Sequence, residues 1–175
     1  MVKRIVMGLL LLLLAASIYA QSNESKGTKY TIKHEIKEMG QATSDKALVY
    51  IIRPSYLAPR TFTFTFANDQ FIGVTDAKNY TYVLISPGQY MFWSIADQID
   101  TAMLTVEAGK TYHIQQQLAF GAYGPLEVKW AVYLRSVKEK KLKKYFKKST
   151  YVTPTEQAHV KAQELIQEWY PKLQE

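Results

Sequence analysis

No cysteine occurs among the 175 residues. That absence excludes disulfides, a thiol nucleophile, thiolate metal ligands and a lipid-modified cysteine. Histidine is scarce. His34, His113 and His159 lie in three separate segments at no ligand spacing. Glycine is limited to eight residues, and they form neither a phosphate-binding loop nor a Gly-x-Ser-x-Gly elbow. The sequence therefore offers no catalytic residue, no metal site and no cofactor site, and it argues against an enzyme. Long hydrophobic runs are missing too, with one exception. Residues 5–16 are apolar and include six consecutive leucines, Leu9 to Leu14. That run is shorter than the ~20 residues of a membrane-spanning helix.

What surrounds the run gives it meaning. Lys3 and Arg4 precede it, and small or neutral residues lead to Ala20. A charged start, a short apolar middle and a small-residue exit predict a secretory signal peptide over residues 1–20, cut after Ala20. Cutting after Ser17 and retention as an uncleaved N-terminal membrane anchor are the alternatives. Removal leaves 155 residues, enough for one domain with its own core. An exported chain without disulfides fits a bacterial envelope, either periplasmic or secreted. The sequons Asn23-Glu24-Ser25 and Asn79-Tyr80-Thr81 would matter only in a eukaryotic source.

Past a flexible leader at 21–28, period-two alternation predicts strands at 30–36, 47–53, 60–67, 70–74, 80–85, 90–95, 101–106, 111–118 and 127–135. Residues 47–53 are apolar on both faces and predict a central, buried strand. Phe62, Phe64 and Phe66 face one way, and Thr61, Thr63 and Thr65 the other. Asn68-Asp69 predicts a hairpin turn, and Ser86-Pro87-Gly88-Gln89 a type II turn. In 111–118, Tyr112, Ile114 and Leu118 point inward, while His113 points outward into solvent. The expected fold is mainly β: an antiparallel immunoglobulin-like sandwich of about seven or eight strands, over residues 29–135, with C-terminal helices. Residues 136–175 change period. Thr153-Pro154-Thr155-Glu156 reads as a capping box ahead of an amphipathic helix, packed with the basic helix on the sandwich.

The net charge is +7, or +5 without Lys3 and Arg4, and seven lysines crowd into residues 138–148. On a helical wheel over 137–148, Leu142, Tyr145 and Phe146 share one side. Lys140, Lys141, Lys143, Lys144, Lys147 and Lys148 take the opposite arc, and Lys138 falls on the apolar side. Such a helix either rests on an anionic surface or docks on its own core and displays the lysines. The partners that fit are an anionic membrane, an acidic polysaccharide or another envelope protein. Nucleic acid does not suit an exported chain. Most aromatics sit at inward strand positions and fill the core. Tyr56 and Tyr123 lie in loops and are candidate ligand contacts. Arg53 ends a buried strand, so it either holds the Pro54 loop or contacts a ligand. Asp97 and Asp100 form a polar turn, with a cation as the alternative.

Four phrases recur in one order: Ala47-Leu-Val-Tyr-Ile-Ile-Arg-Pro-Ser55, Phe71-Ile-Gly-Val74, the aromatic strand from Tyr80 with Pro87-Gly88, and Val106-Glu-Ala-Gly-Lys-Thr-Tyr112. Their order and spacing resemble the bacterial family called domain of unknown function 2846. The resemblance covers about half the chain, roughly 47–134. It implies a small β-sandwich of exported or lipid-anchored envelope proteins, with no established activity and no functional residue to carry over. The missing lipidation cysteine departs from the anchored members. The expected function is a non-enzymatic interaction module of the envelope. The alternatives are a carbohydrate-binding module using exposed tyrosines and a hydrolase whose site the sequence does not reveal.

Overall fold

The computed structural model describes residues 27–122 and 128–175. The leader expected over 1–20 and the candidate Tyr123 lie outside the described residues.

Strand β2 (Ala47–Arg53) is buried at every position, as its two-faced apolar pattern predicts. It sits in mid-sheet between β5 (Asn79–Ile85) and β8 (Thr111–Ala122). Beyond β8 lies β9 (Val128–Ser136). Beyond β5 lie β10 (Thr150–Pro154) and β1 (Thr31–Lys33). The second sheet has four strands in the order β4 (Gln70–Thr75), β3 (Thr63–Ala67), β6 (Gly88–Ile95), β7 (Ile99–Val106).

Three hydrophobic layers follow from this. Val49, Ile51, Ile72, Phe92, Ile114 and Leu134 meet between the sheets. Phe64, Phe66, Val74 and Trp93 turn outward from the four-stranded sheet and pack under Ala158, Ala162 and Leu165 of helix α2 (Glu156–Trp169). Leu48, Tyr50, Ile52 and Tyr80 leave the other outer face and meet Leu142, Tyr145 and Phe146 of helix α1 (Glu139–Lys148). The protein is thus mainly β, with two sheets packed face to face and a helix on each outside. Both faces of β2 are apolar because both are covered.

The phenylalanine/threonine alternation of β3 also resolves. The phenylalanines face α2, and the threonines face the other sheet. Thr65 Oγ1 lies 2.8 Å from Ser94 Oγ, and Gln116 Nε2 donates to Thr65 Oγ1 at 2.6 Å. Thr75 Oγ1 donates to Gln116 Oε1 at 2.5 Å. All four side chains are fully buried, so this polar stitch between the sheets is stable only because its members satisfy one another.

Several expectations need correction. The sheets are not wholly antiparallel: β2 pairs β8, and β5 pairs β10, in parallel. Ten strands are present among the described residues, not seven or eight. The unforeseen β10 follows α1, which carries the chain from the β9 edge across the sheet face to the far side of β5. Strand β1 is only three residues long, and Ile36 beyond it is 80% exposed. The α2 cap is Thr155, whose Oγ1 accepts from Ala158 N at 3.2 Å, while Pro154 stays within β10. Gly88, at φ +157°, already pairs with Val106 inside β6, so no type II turn forms there. Gly109 is the glycine that needs its freedom. Its φ of +74° closes the turn in which Lys110 N donates to Glu107 O at 3.2 Å. Among the described residues, no helix is long and apolar enough to cross a membrane.

Candidate functional site

Helix α1 begins as the chain leaves β9, with Lys138 extended at its N-cap and Glu139 in its first turn. Lys147 and Lys148 end it, where positive charge suits the helix dipole. Lys37 reaches the same end from the loop before β2. Its Nζ donates to Phe146 O at 2.6 Å, which also accepts from Ser149 N, and to Lys147 O at 2.8 Å, capping carbonyls of the last turn.

The apolar side of α1 faces the sheet, with Leu142, Tyr145 and Phe146 half-buried against it. Phe146 meets Tyr50 and Tyr80 edge-on, at centroid distances of 5.0 and 5.1 Å. Both phenols are buried and satisfied by the backbone: Tyr50 Oη donates to Gly40 O at 3.2 Å and Tyr80 Oη to Glu38 O at 2.8 Å. Burial raises both, Tyr80 to about 12. With Leu142, Tyr145 and Phe146 facing the sheet, Lys140, Lys141, Lys143, Lys144, Lys147 and Lys148 are all exposed. Lys138 is exposed as well, because it precedes the first helical turn rather than lying on the apolar side. Among the described residues the ion pairs are Lys110–Glu107 and Lys161–Glu164, so no α1 lysine is neutralised by a neighbour. The helix docks and displays its lysines at once.

Arg53 turns inward. It is fully buried, and its guanidinium donates to Thr61 O (2.5 Å), Leu57 O (2.8 Å) and Ala58 O (2.6 Å). Burial pushes it down to about 10, against the opposing pull of the Asp76 carboxylate. Asp76 is itself buried and raised, although the charges of Lys33 and Arg53 and a hydrogen bond from Asn79 Nδ2 resist the shift. Arg53 therefore holds the 54–61 loop and presents nothing to a ligand. Tyr56, in that loop, is 65% exposed, with Lys78 Nζ 5.0 Å from its ring centre. Arg53 holds from below the loop that carries Tyr56, and the two do not form one site.

Asp97 and Asp100 cover a sheet edge. Their Oδ2 atoms accept from Trp130 N at 2.8 Å and Leu134 N at 2.7 Å on β9. No group of three or more metal-ligating side chains occurs among the described residues. His34 is half-buried, 2.9 Å from Thr153 Oγ1 and packed on Tyr151, as a structural histidine would be.

His113 corrects the sequence reading. It lies on the outward face of β8, but α1 covers that face. The imidazole stacks flat on Tyr50, 5.2 Å between centres, with Phe146 above it. Burial lowers its pKa. The unfolded chain therefore takes up this proton first, near pH 6.5, and stability is lost as pH falls through that value. The melting midpoint should drop between about pH 7.5 and pH 5.5, and His113→Phe should flatten the drop. An unchanged slope in that variant would assign the effect to other groups.

No family model, curated protein or solved structure matches the chain.

Proposed function

We propose that the protein is an exported bacterial envelope protein without enzymatic activity, and that it contacts an anionic lipid surface through the lysine row of α1. One observation carries the reading: six exposed lysines share a helix whose apolar residues face the sheet. A lysine row whose apolar neighbours pack on the protein's own sheet acts through charge, at about 1 kcal/mol per lysine near an anionic surface. The leader pattern of residues 1–20 supplies the route outside the cytosol. The resemblance to the domain of unknown function 2846 family supports the same setting. Of the immunoglobulin-like comparison, the reading needs only two packed sheets that carry a helix rigidly.

Co-sedimentation tests this. The purified protein should bind vesicles containing phosphatidylglycerol and leave vesicles of phosphatidylcholine alone. Equal binding to both, or binding to neutral polysaccharide instead, would favour tyrosine-based recognition through groups such as Tyr56 and discard the lysine row.

A further inference from the structure

Strands β7 and β9 run side by side at one corner of the sandwich. They are tied at two points, Asp97 to Trp130 N and Asp100 to Leu134 N. Past the second tie the sheets part. Strand β9 ends at Ser136 and the chain turns onto the outer face as α1, while β7 continues to Val106. The gap is a cleft of about 360 Å³. Ala102 and Leu104 form one wall, and Tyr112, Ile114 and Leu134 the other. All five belong to the inter-sheet core or pack against it, so the cleft opens into the hydrophobic interior. Met103 lines the cleft and is 62% exposed.

The rim differs in character from the walls. Arg135 and Val137 line it, and Lys138 follows directly, leading into the lysine row. Arg135 and Lys138 are both exposed. On the β7 side, Glu107 is occupied by Lys110 at 2.8 Å and the Asp100 carboxylate by Leu134 N at 2.7 Å, and Glu139 is the next acid along the chain from the rim. A concave apolar slot with a few polar groups at one end is the common form of a small-molecule site. At roughly 30 Å³ for a water-sized group, the cleft holds a chain of about ten to twelve carbons.

We infer that this cleft binds the aliphatic chain of a long-chain carboxylate, with the carboxylate held at the rim by Arg135. An extended peptide fits less well. A strand added to the β9 edge would need its outward N–H groups, and those of Trp130 and Leu134 already donate to Asp97 and Asp100. The inference deepens the proposed contact with anionic lipid. It is tested without vesicles, so either reading can fail alone.

The probe is dodecanoate below its micelle concentration, titrated into protein carrying ¹³C-methyl methionine. The Met103 methyl should shift saturably. Met39, exposed on the loop before β2, should stay in place. Leu104→Trp should weaken binding at least tenfold, with vesicle binding by α1 unchanged. Arg135→Gln should weaken dodecanoate severalfold and leave dodecanol, the uncharged chain of equal length, as it was. If Leu104→Trp does not fold, the wild-type titration decides alone. Shifts of Met39 alongside Met103, no saturation, or capture of an extended peptide in place of dodecanoate would overturn the inference.

Discussion

Arg53→Met should lower the melting midpoint by roughly 10 °C at neutral pH. Methionine keeps the unbranched apolar stem but ends near the position of Nε, so it removes the guanidinium and every donor with it. The carbonyls of Leu57 and Thr61 would lose the guanidinium, and that of Ala58 would keep only Thr61 N. A buried acceptor left unpaired costs about 1–3 kcal/mol, and part of that is recovered where water can reach Leu57 and Thr61. A net loss of about 3–4 kcal/mol follows, at roughly 3 °C per kcal/mol for a chain of this size. The loop depends on this residue for its shape. Ala58 holds a left-handed φ of +50°, and its carbonyl takes both the guanidinium and Thr61 N. Arg53→Lys should fall between the two, since an ammonium cannot span three carbonyls in a plane. Calorimetry checks the series. A loss below about 1 kcal/mol for Arg53→Met would mean that the loop is held by something else.

The second large effect concerns binding. Replacing Lys140, Lys143, Lys144 and Lys147 together by glutamine should leave the midpoint within about 2 °C, because exposed substitutions away from packing change stability little. Glutamine also has nearly the helix propensity of lysine. Affinity for phosphatidylglycerol vesicles should fall far more. Four lysines at about 1 kcal/mol each amount to about a thousandfold. The same four positions changed to arginine should bind like the wild type, since the contact asks for charge and not for a particular head group. A large drop in midpoint would make these lysines structural. Full binding by the glutamine variant would place the contact elsewhere.

Legibility in the sequence tracked how local each signal is. The buried β2 strand, the hairpin at Asn68-Asp69 and the two-sided character of α1 could be read from alternation and helical period. These patterns depend on which atoms sit next to one another along the chain. What alternation cannot say is what covers a face. The polar face of its strand predicts a solvated His113, yet α1 lies over it. Alternation puts the threonines and phenylalanines of β3 on opposite faces without saying which meets the other sheet; the threonines do, with Gln116, because the phenylalanines pack on α2. Strand β10 was hidden by its brevity and by Pro154 at its end, and its parallel pairing with β5 depends on a helix crossing that no local pattern records. For the site, the lysine arc was visible in full. Lys37, which secures the end of α1 from 109 residues away, left no trace in the sequence.

Salt gives the most direct test. An attraction between exposed charges fades as the screening length shrinks from about 10 Å at 0.1 M to about 3 Å at 1 M. Vesicle affinity of the wild-type protein, measured across that range, should fall steeply and reach the level of the four-glutamine variant at the top. An affinity that holds its value from 0.1 M to 1 M salt would contradict a charge-driven contact through α1.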